Sequence, residues 1–380
     1  NWLLIFKLLY AYKTIITKIN MDIVIGNIKY DKPILAFYMG YSVPFNGKNY
    51  DEKNTFGSEN TVIHIAEVLK ENYKIFVFSN CKPDEEIVHN DISYLSINRL
   101  HYFKEIDILI IVRYINYFIY FSNVAKKTYI MVCDTIFNPS YNNGLLPDNG
   151  KHLLNNIKHN IEGVICVSDW QKNNIKLVYN TPEFNFKVIP NTIATKFYKP
   201  NIPIIKKRFI YMSDPSRGLD LLLDCLLYIQ NIDPDISLVV FRKNEFTASI
   251  NSKLDKLNNK IVLGKKSQET IANYCLEAEY FFYPPNGFCE TFCNCAAEAQ
   301  LYNTVCIYNP IGALVTTIGD RGMAINYDYK DMAYVVQASK QVINLMNDEE
   351  RKKDYIKRGR NWAKKLKPSL VKNKWLKVLK

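Results

Sequence analysis

The first twenty residues contain no apolar run of the roughly 18 residues a membrane helix needs, because Lys7, Lys13 and Lys18 interrupt every hydrophobic stretch. At 100° per residue these lysines fall on one side, and Leu4, Ile5, Leu8, Leu9, Tyr12, Ile15, Ile16 and Ile19 fall on the other. That is a cationic amphipathic pattern able to lie on a membrane. The segment precedes Met21, so it is either such an anchor or sequence upstream of the true start. The chain also lacks internal repeats and low-complexity blocks, which sets aside solenoids and disordered arrays. Its nine cysteines are odd in number and have no framework spacing, which argues against a disulfide scaffold and for a reduced, cytoplasmic setting. Cys289, Cys293 and Cys295 crowd one stretch without a His or Cys pair at zinc spacing, so they read as small residues packed near a site. Asp233-Pro-Asp235 has an Asp-x-Asp pattern, but Pro and Asp are ordinary residues for a turn between helix and strand, and no metal is expected.

What is present is a globular chain. Its 380 residues, 48% of them hydrophobic, predict two domains with well-filled cores. The formal net charge is +12, and residues 351–380 hold thirteen Lys or Arg against one acid, Asp354. The tail therefore carries the whole excess, and the body is balanced. A nucleic-acid-binding body is excluded on that ground, and no nucleic-acid partner is expected. For the tail, two readings stay open: attraction to anionic lipid or a lipid-diphosphate acceptor, or ordinary solvated lysines of an AT-rich composition.

Short apolar runs recur between helical segments: Ile34-Leu-Ala-Phe-Tyr, Ile75-Phe-Val-Phe, Ile106-Asp-Ile-Leu-Ile-Ile-Val, Tyr129-Ile-Met-Val-Cys and Val164-Ile-Cys-Val. This rhythm predicts a parallel sheet, with ligands at the carboxyl ends of its strands. Asp134 follows one such end. Gly57 and Ser58 open a helix after a polar loop, where phosphate-binding geometry is available. Ser168 is placed to cap another helix. Phe186-Lys-Val-Ile-Pro-Asn-Thr runs into Pro200 and Pro203, which puts the domain boundary near 192–206. The second domain opens with Arg208-Phe-Ile-Tyr-Met, and Arg217-Gly218 then stands at a helix start, where a guanidinium can grip a diphosphate in two places.

The most informative stretch is 281–301. An aromatic strand end meets Pro284, Pro285, Asn286 and Gly287, which predict a turn. Glu290 then opens an Ala-, Glu- and Gln-rich helical segment, with Glu298 eight residues on. A helix starting near Glu290 would put Glu298 about two turns in, roughly 12 Å along the axis. The free amides at that start, near Asn294 and Cys295, suit phosphate, and the two carboxylates suit hydroxyls on either side of it.

Glu290, Thr291, Cys293, Glu298, Ala299 and Gln300 give the chain a resemblance to the retaining glycosyltransferases of the GT-B fold, the family-four type with a Glu-x7-Glu signature. The resemblance runs from about residue 33 to about 378. It implies an α/β chain of two Rossmann-like domains with a cleft between them and a C-terminal helix crossing back, anchored by Trp362 and Trp375. The expected division is 1–20 as an extension, 21–195 as the acceptor-side domain, 196–355 as the donor domain and 356–380 as the crossing helix. It implies transfer of a sugar from a nucleotide-diphosphate sugar to a glycan, lipid-linked or protein acceptor, with retention and without a metal or other cofactor. Glu290 and Asp134 are the expected catalytic residues. Arg217, Gly57, Ser58, Gly264, Lys265, Thr291, Asn294, Cys295 and Glu298 are expected at the donor.

Three positions depart from that pattern: Phe56 replaces a glycine, Cys133 stands where a sugar-binding His is usual, and Met212 stands where many relatives have Arg. The last two favour a rival reading, a non-catalytic nucleotide-sugar-binding protein. A sugar-nucleotide epimerase of the same fold is a further alternative, whereas a phosphorylase is set aside for want of a pyridoxal-phosphate signature. The expected location is cytoplasmic, with peripheral contact to an anionic membrane as the role the basic tail would serve.

Overall fold

The computed structural model describes residues 30–380 except 41, 53–56, 123, 138, 139, 142, 143, 146–149, 181–183, 194, 200, 242–244 and 285. The amphipathic stretch 1–20 and Phe56 lie outside the described residues.

Two sheets organise the chain. The first-domain strands are β1 (Ile34–Tyr38), β2 (Lys74–Ser79), β3 (Ile87–His89), β4 (Ile92–Ser96), β5 (Ile106–Val112) and β6 (Ala125–Met131). A short antiparallel pair follows, β7 (Ser140–Tyr141) and β8 (Gly144–Leu145), and then β9 (Gly163–Cys166) and β10 (Phe186–Val188). The second domain contributes β11 (Ile205–Tyr211), β12 (Ser237–Phe241), β13 (Asn259–Leu263), β14 (Ala278–Tyr283), β15 (Val305–Tyr308) and β16 (Met323–Ala324). The first sheet runs β10-β9-β6-β5-β1-β2-β4-β3, parallel throughout except β3 on β4. The second runs β13-β12-β11-β14-β15-β16 and is wholly parallel. The apolar runs follow from this: a parallel strand covered on both faces has no polar side to show. Every residue of β14 is buried.

Six helices matter for the site: α1 (Gly57–Leu69), α2 (Asp169–Tyr179), α3 (Leu219–Gln230), α4 (Asn294–Leu301), α5 (Glu349–Ala363) and α6 (Pro368–Leu379). Ser168 caps α2 as expected, accepting from the Gln171 amide at 3.0 Å. Gly218, before α3, has φ 115°, and a Cβ there would lie 1.8 Å from the Pro284 carbonyl oxygen. Only glycine fits where the α3 start meets the end of β14.

The chain crosses back to the first domain later than expected. A division at 355/356 falls inside α5, which stays on the second domain, where the buried Lys352 ammonium is tied to Glu279 at 2.9 Å and to the Tyr280 hydroxyl at 3.2 Å, both on β14. The crossing element is α6, started by Pro368. It packs on α1, with Val371, Trp375 and Leu379 buried. Tyr129 donates to the Val378 carbonyl at 2.9 Å, and Lys372 reaches Glu71 at 3.2 Å. Of the two tryptophans, only Trp375 serves that contact. Trp362 stacks on Phe292 of the second domain, under the Arg321 guanidinium. No helix among the described residues is long and apolar enough to cross a membrane.

Candidate active site in the cleft between the sheets

A cavity of about 830 Å³ lies between the two domains, at the carboxyl ends of both sheets. Gly57, Ser58, Glu59, His64, Arg113, Cys133 and Asp134 line it from the first domain. Met212, Arg217, Phe288, Cys289, Glu290, Thr291, Asn294, Cys295 and Glu298 line it from the second. The structure thus gathers nine of the eleven expected site residues around one space. Gly264 and Lys265 are exposed at the end of the edge strand β13 and are not part of the lining. Gln268 and Ile271, just beyond them, are.

Glu290 is buried, and its Oε1 accepts from the Tyr283 hydroxyl at 2.7 Å and from Arg217 Nη1 at 3.0 Å. Tyr283 ends β14 and Arg217 precedes α3, so two adjacent strand-to-helix junctions converge on one carboxylate. Burial, reinforced by Glu290, pushes the Tyr283 pKa well above its ordinary value, which keeps the hydroxyl a donor. Burial is the largest influence and works against the Arg217 charge, but Glu290, together with Tyr283, Cys295 and Cys293, makes the net shift upward. The Arg217 guanidinium also lies 4.1 Å from the centre of the half-exposed Phe288 ring.

The helix after Glu290 begins later than the sequence suggests. Cys293 has φ 66°, a left-handed conformation that cannot belong to the helix, and α4 starts at Asn294. The Glu290 carbonyl accepts instead from the Ala313 amide at 2.7 Å, beside Gly312, where a Cβ would come within 2.6 Å of that oxygen. Glu298 is accordingly the fifth helical residue, little more than one turn in rather than two. No side-chain hydrogen bond caps α4.

The facing wall carries a second Arg–carboxylate pair, which the sequence reading did not find. Arg113 binds Asp134 in two places, Nε to Oδ2 at 2.6 Å and Nη2 to Oδ1 at 3.0 Å. Arg113 directly follows β5 with φ 71°, and Asp134 lies just past the neighbouring strand β6. The rule that singled out Asp134, position at a strand's carboxyl end, applies equally to Arg113. Next to Asp134 in the chain, the Cys133 thiol is pushed up to about 12, by burial first and by Asp134 second, and stays protonated. His64, also missed, holds its neighbours through both ring nitrogens: Nδ1 faces the Thr192 carbonyl at 3.3 Å and Nε2 faces the Tyr50 hydroxyl at 2.7 Å. A carbonyl only accepts, so Nδ1 carries the proton and Tyr50 donates to Nε2.

Thr291 and Asn294 also touch the first domain. Thr291 Oγ1 donates to the Cys133 carbonyl at 2.9 Å, Ser168 Oγ donates to the Thr291 carbonyl at 2.7 Å, and Asn191 donates to Asn294 Oδ1 at 2.9 Å. Asp233, from the Asp-x-Asp turn, is bound by Lys207 at 2.7 Å, away from the cleft. Among the described residues no group of three His, Cys, Asp or Glu is arranged to hold a metal ion.

Two domains with parallel sheets, ligand-competent strand ends facing one cleft and a helix crossing back define the GT-B fold, and comparison with solved structures agrees. The chain is similar to sucrose-phosphate synthase from Thermosynechococcus elongatus (14% identity, TM-score 0.68, covering 91% of this chain and 98% of that one). It is similar to HepE from Anabaena in complex with UDP (13% identity, TM-score 0.69, 91% and 99% covered). It is also similar to a glycosyltransferase from Rickettsia africae (15% identity, TM-score 0.65, 92% and 98% covered). No protein-family model matches the chain, and no curated protein matches it by sequence.

Proposed function

We propose that the protein is a retaining glycosyltransferase that moves a sugar from a nucleotide-diphosphate sugar to a hydroxyl of a glycan, lipid-linked or protein acceptor. The observation that carries this reading is the buried Glu290 carboxylate, held by Arg217 and Tyr283 on the wall of a cleft that Glu298 also lines. HepE, of the same fold, has been determined with UDP and with UDP-glucose.

An incoming diphosphate competes with Glu290 for Arg217. As it takes the guanidinium, Glu290 is released toward the sugar hydroxyls, with Tyr283 still fixing its direction. Glu298 holds the ribose, and the uncapped start of α4, at Asn294 and Cys295, receives a phosphate together with the Gly57–Ser58 turn. These donors stabilise charge as the anomeric C–O bond breaks and the nucleotide diphosphate leaves. The acceptor oxygen bonds to the anomeric carbon on the same face, and its proton passes to the departing phosphate oxygen. Asp134, steadied by Arg113, faces the transferred sugar from the first domain. No step calls on a metal or other cofactor.

A thermal-shift screen of nucleotide sugars tests the reading, since a donor bound to the native state raises the melting temperature. Binding followed by slow release of free sugar, abolished in Glu290→Gln, is the expected result. Cys133 favours the rival of a binding protein, because a protonated thiol is a poor hydrogen-bond partner for a sugar. That rival predicts donor binding with no release of sugar in wild type or variant.

A further inference from the structure

The outward face of the crossing helix has no use in the cleft. After Asp354 the chain contains no acidic residue. Lys364, Lys365, Lys367, Lys374 and Lys377 are exposed, and among the described residues none of them meets a carboxylate. Lys367, just before α6, and positions 370, 374 and 377 along it fall at three- and four-residue spacing, so they form one stripe, which flanks the buried face of Val371, Trp375 and Leu379. The fourth member of that stripe is Leu370, 49% exposed.

Local stability does not explain this arrangement. Like charges at such spacing repel. Lys364 and Lys365 follow the C-terminal end of α5, where the helix dipole suits them, but Lys367 stands at the N-terminal end of α6, where the dipole disfavours a cation, and no acid occupies the first turn to offset it. An anionic partner placed against this face would relieve that repulsion.

We propose that this face docks on an anionic lipid bilayer. The cations on it are all lysines, compact charges on long apolar stems, and an exposed leucine lies among them to enter the interface. A nucleic acid calls for a different surface, with arginine forks and stacking aromatics. Here Arg358 is paired with Asp354 and Asp320, Arg360 lies over the Tyr198 ring, and Trp375 is buried. The inference is independent of the reading of the cleft.

The test is co-sedimentation of the full chain with vesicles of phosphatidylcholine alone and with added phosphatidylserine, in the absence of any sugar nucleotide. The expected result is binding to the phosphatidylserine vesicles only, weakening as salt rises. Each lysine near such a surface strengthens binding about fivefold, so the triple variant Lys367→Gln, Lys374→Gln, Lys377→Gln is expected to bind roughly a hundredfold less tightly. Its melting temperature should equal or slightly exceed wild type, since all three side chains are exposed and the change removes only repulsion. Equal binding to both vesicle types overturns the proposal. So does undiminished binding by the triple variant, which would put the contact elsewhere, residues 1–20 included. Salt-sensitive binding to duplex DNA with none to vesicles overturns it in favour of a nucleic acid.

Discussion

Arg217 Nη1 lies 3.0 Å from the same Glu290 oxygen that accepts the Tyr283 hydroxyl at 2.7 Å. One buried oxygen thus takes two donors, one charged and one neutral. The charged donor can be drawn off by a phosphate, and the neutral one cannot leave. This asymmetry lets the pair serve both the empty cleft and the loaded one.

Replacing Glu290 by Gln keeps the shape and one acceptor oxygen but removes the charge. Transfer, or donor hydrolysis, is expected to fall at least a hundredfold, in line with loss of a preorganised electrostatic partner. Tyr283→Phe should leave Glu290 charged but less fixed. It should cost about 1–2 kcal/mol in stability and lower the rate less than Glu290→Gln does. Melting curves together with initial rates check both. Equal rate losses in the two variants would contradict the asymmetric roles.

The Arg113–Asp134 pair invites a different comparison. Both side chains are 32% exposed, so the ion pair contributes only about 1 kcal/mol despite its two-point geometry. The left-handed backbone at Arg113 costs about as much in the other direction. Arg113→Gly relieves that strain while losing the pair, and its stability should stay within about 1 kcal/mol of wild type. Arg113→Met loses the pair and keeps the strain, so it should be the less stable. Activity should fall in both, since Asp134 is no longer held toward the cleft. Denaturant melts beside rates distinguish a strained functional residue from a merely structural one.

The fold was largely legible before any coordinates, because parallel strands buried on both faces announce themselves as apolar runs. Glu290 and Arg217 could be found because turn chemistry at Pro284–Gly287 and at Gly218 marks the junctions that place them. What escaped notice depends on distant parts of the chain. His64 meets Thr192, 128 residues away, and nothing near either position signals the contact. The late start of α4 hides in the left-handed Cys293, a conformation no propensity assigns to cysteine. Gly264 and Lys265 rested on resemblance alone, and the structure leaves them at an outer strand edge.

Acid should loosen the chain through His64. Burial is the main cause that lowers its pKa from 6.5 to about 4, with Lys196 acting the same way and the Thr192 carbonyl and Glu67 opposing. The unfolded chain therefore binds a proton at higher pH than the folded one. The stability this neutral ring contributes is complete above about pH 6.5 and is lost as the pH falls toward 4, on the order of 2 kcal/mol allowing for partial exposure. Melting temperatures across that window should fall more steeply for wild type than for His64→Gln. Parallel slopes would mean that the ring titrates normally.

Closure of the cleft should respond to Thr291 and Ser168 separately. Thr291→Val removes one hydrogen bond across the domains, to the Cys133 carbonyl, and leaves the Glu290 pair intact. Ser168→Ala removes another, to the Thr291 carbonyl, and also the cap on α2. The first change should cost about 1 kcal/mol, felt as faster amide exchange along the cleft with little loss of global stability. The second should cost about 1 kcal/mol more and lower the melting temperature as well, because a cap supports its helix whether the cleft is open or shut. Hydrogen exchange resolved to peptides from α2 and from the segment 289–295 separates the two. If Thr291→Val accelerated exchange in α2 as strongly as Ser168→Ala, the two contacts would form one cooperative unit, and the cleft could not open without loosening the first domain.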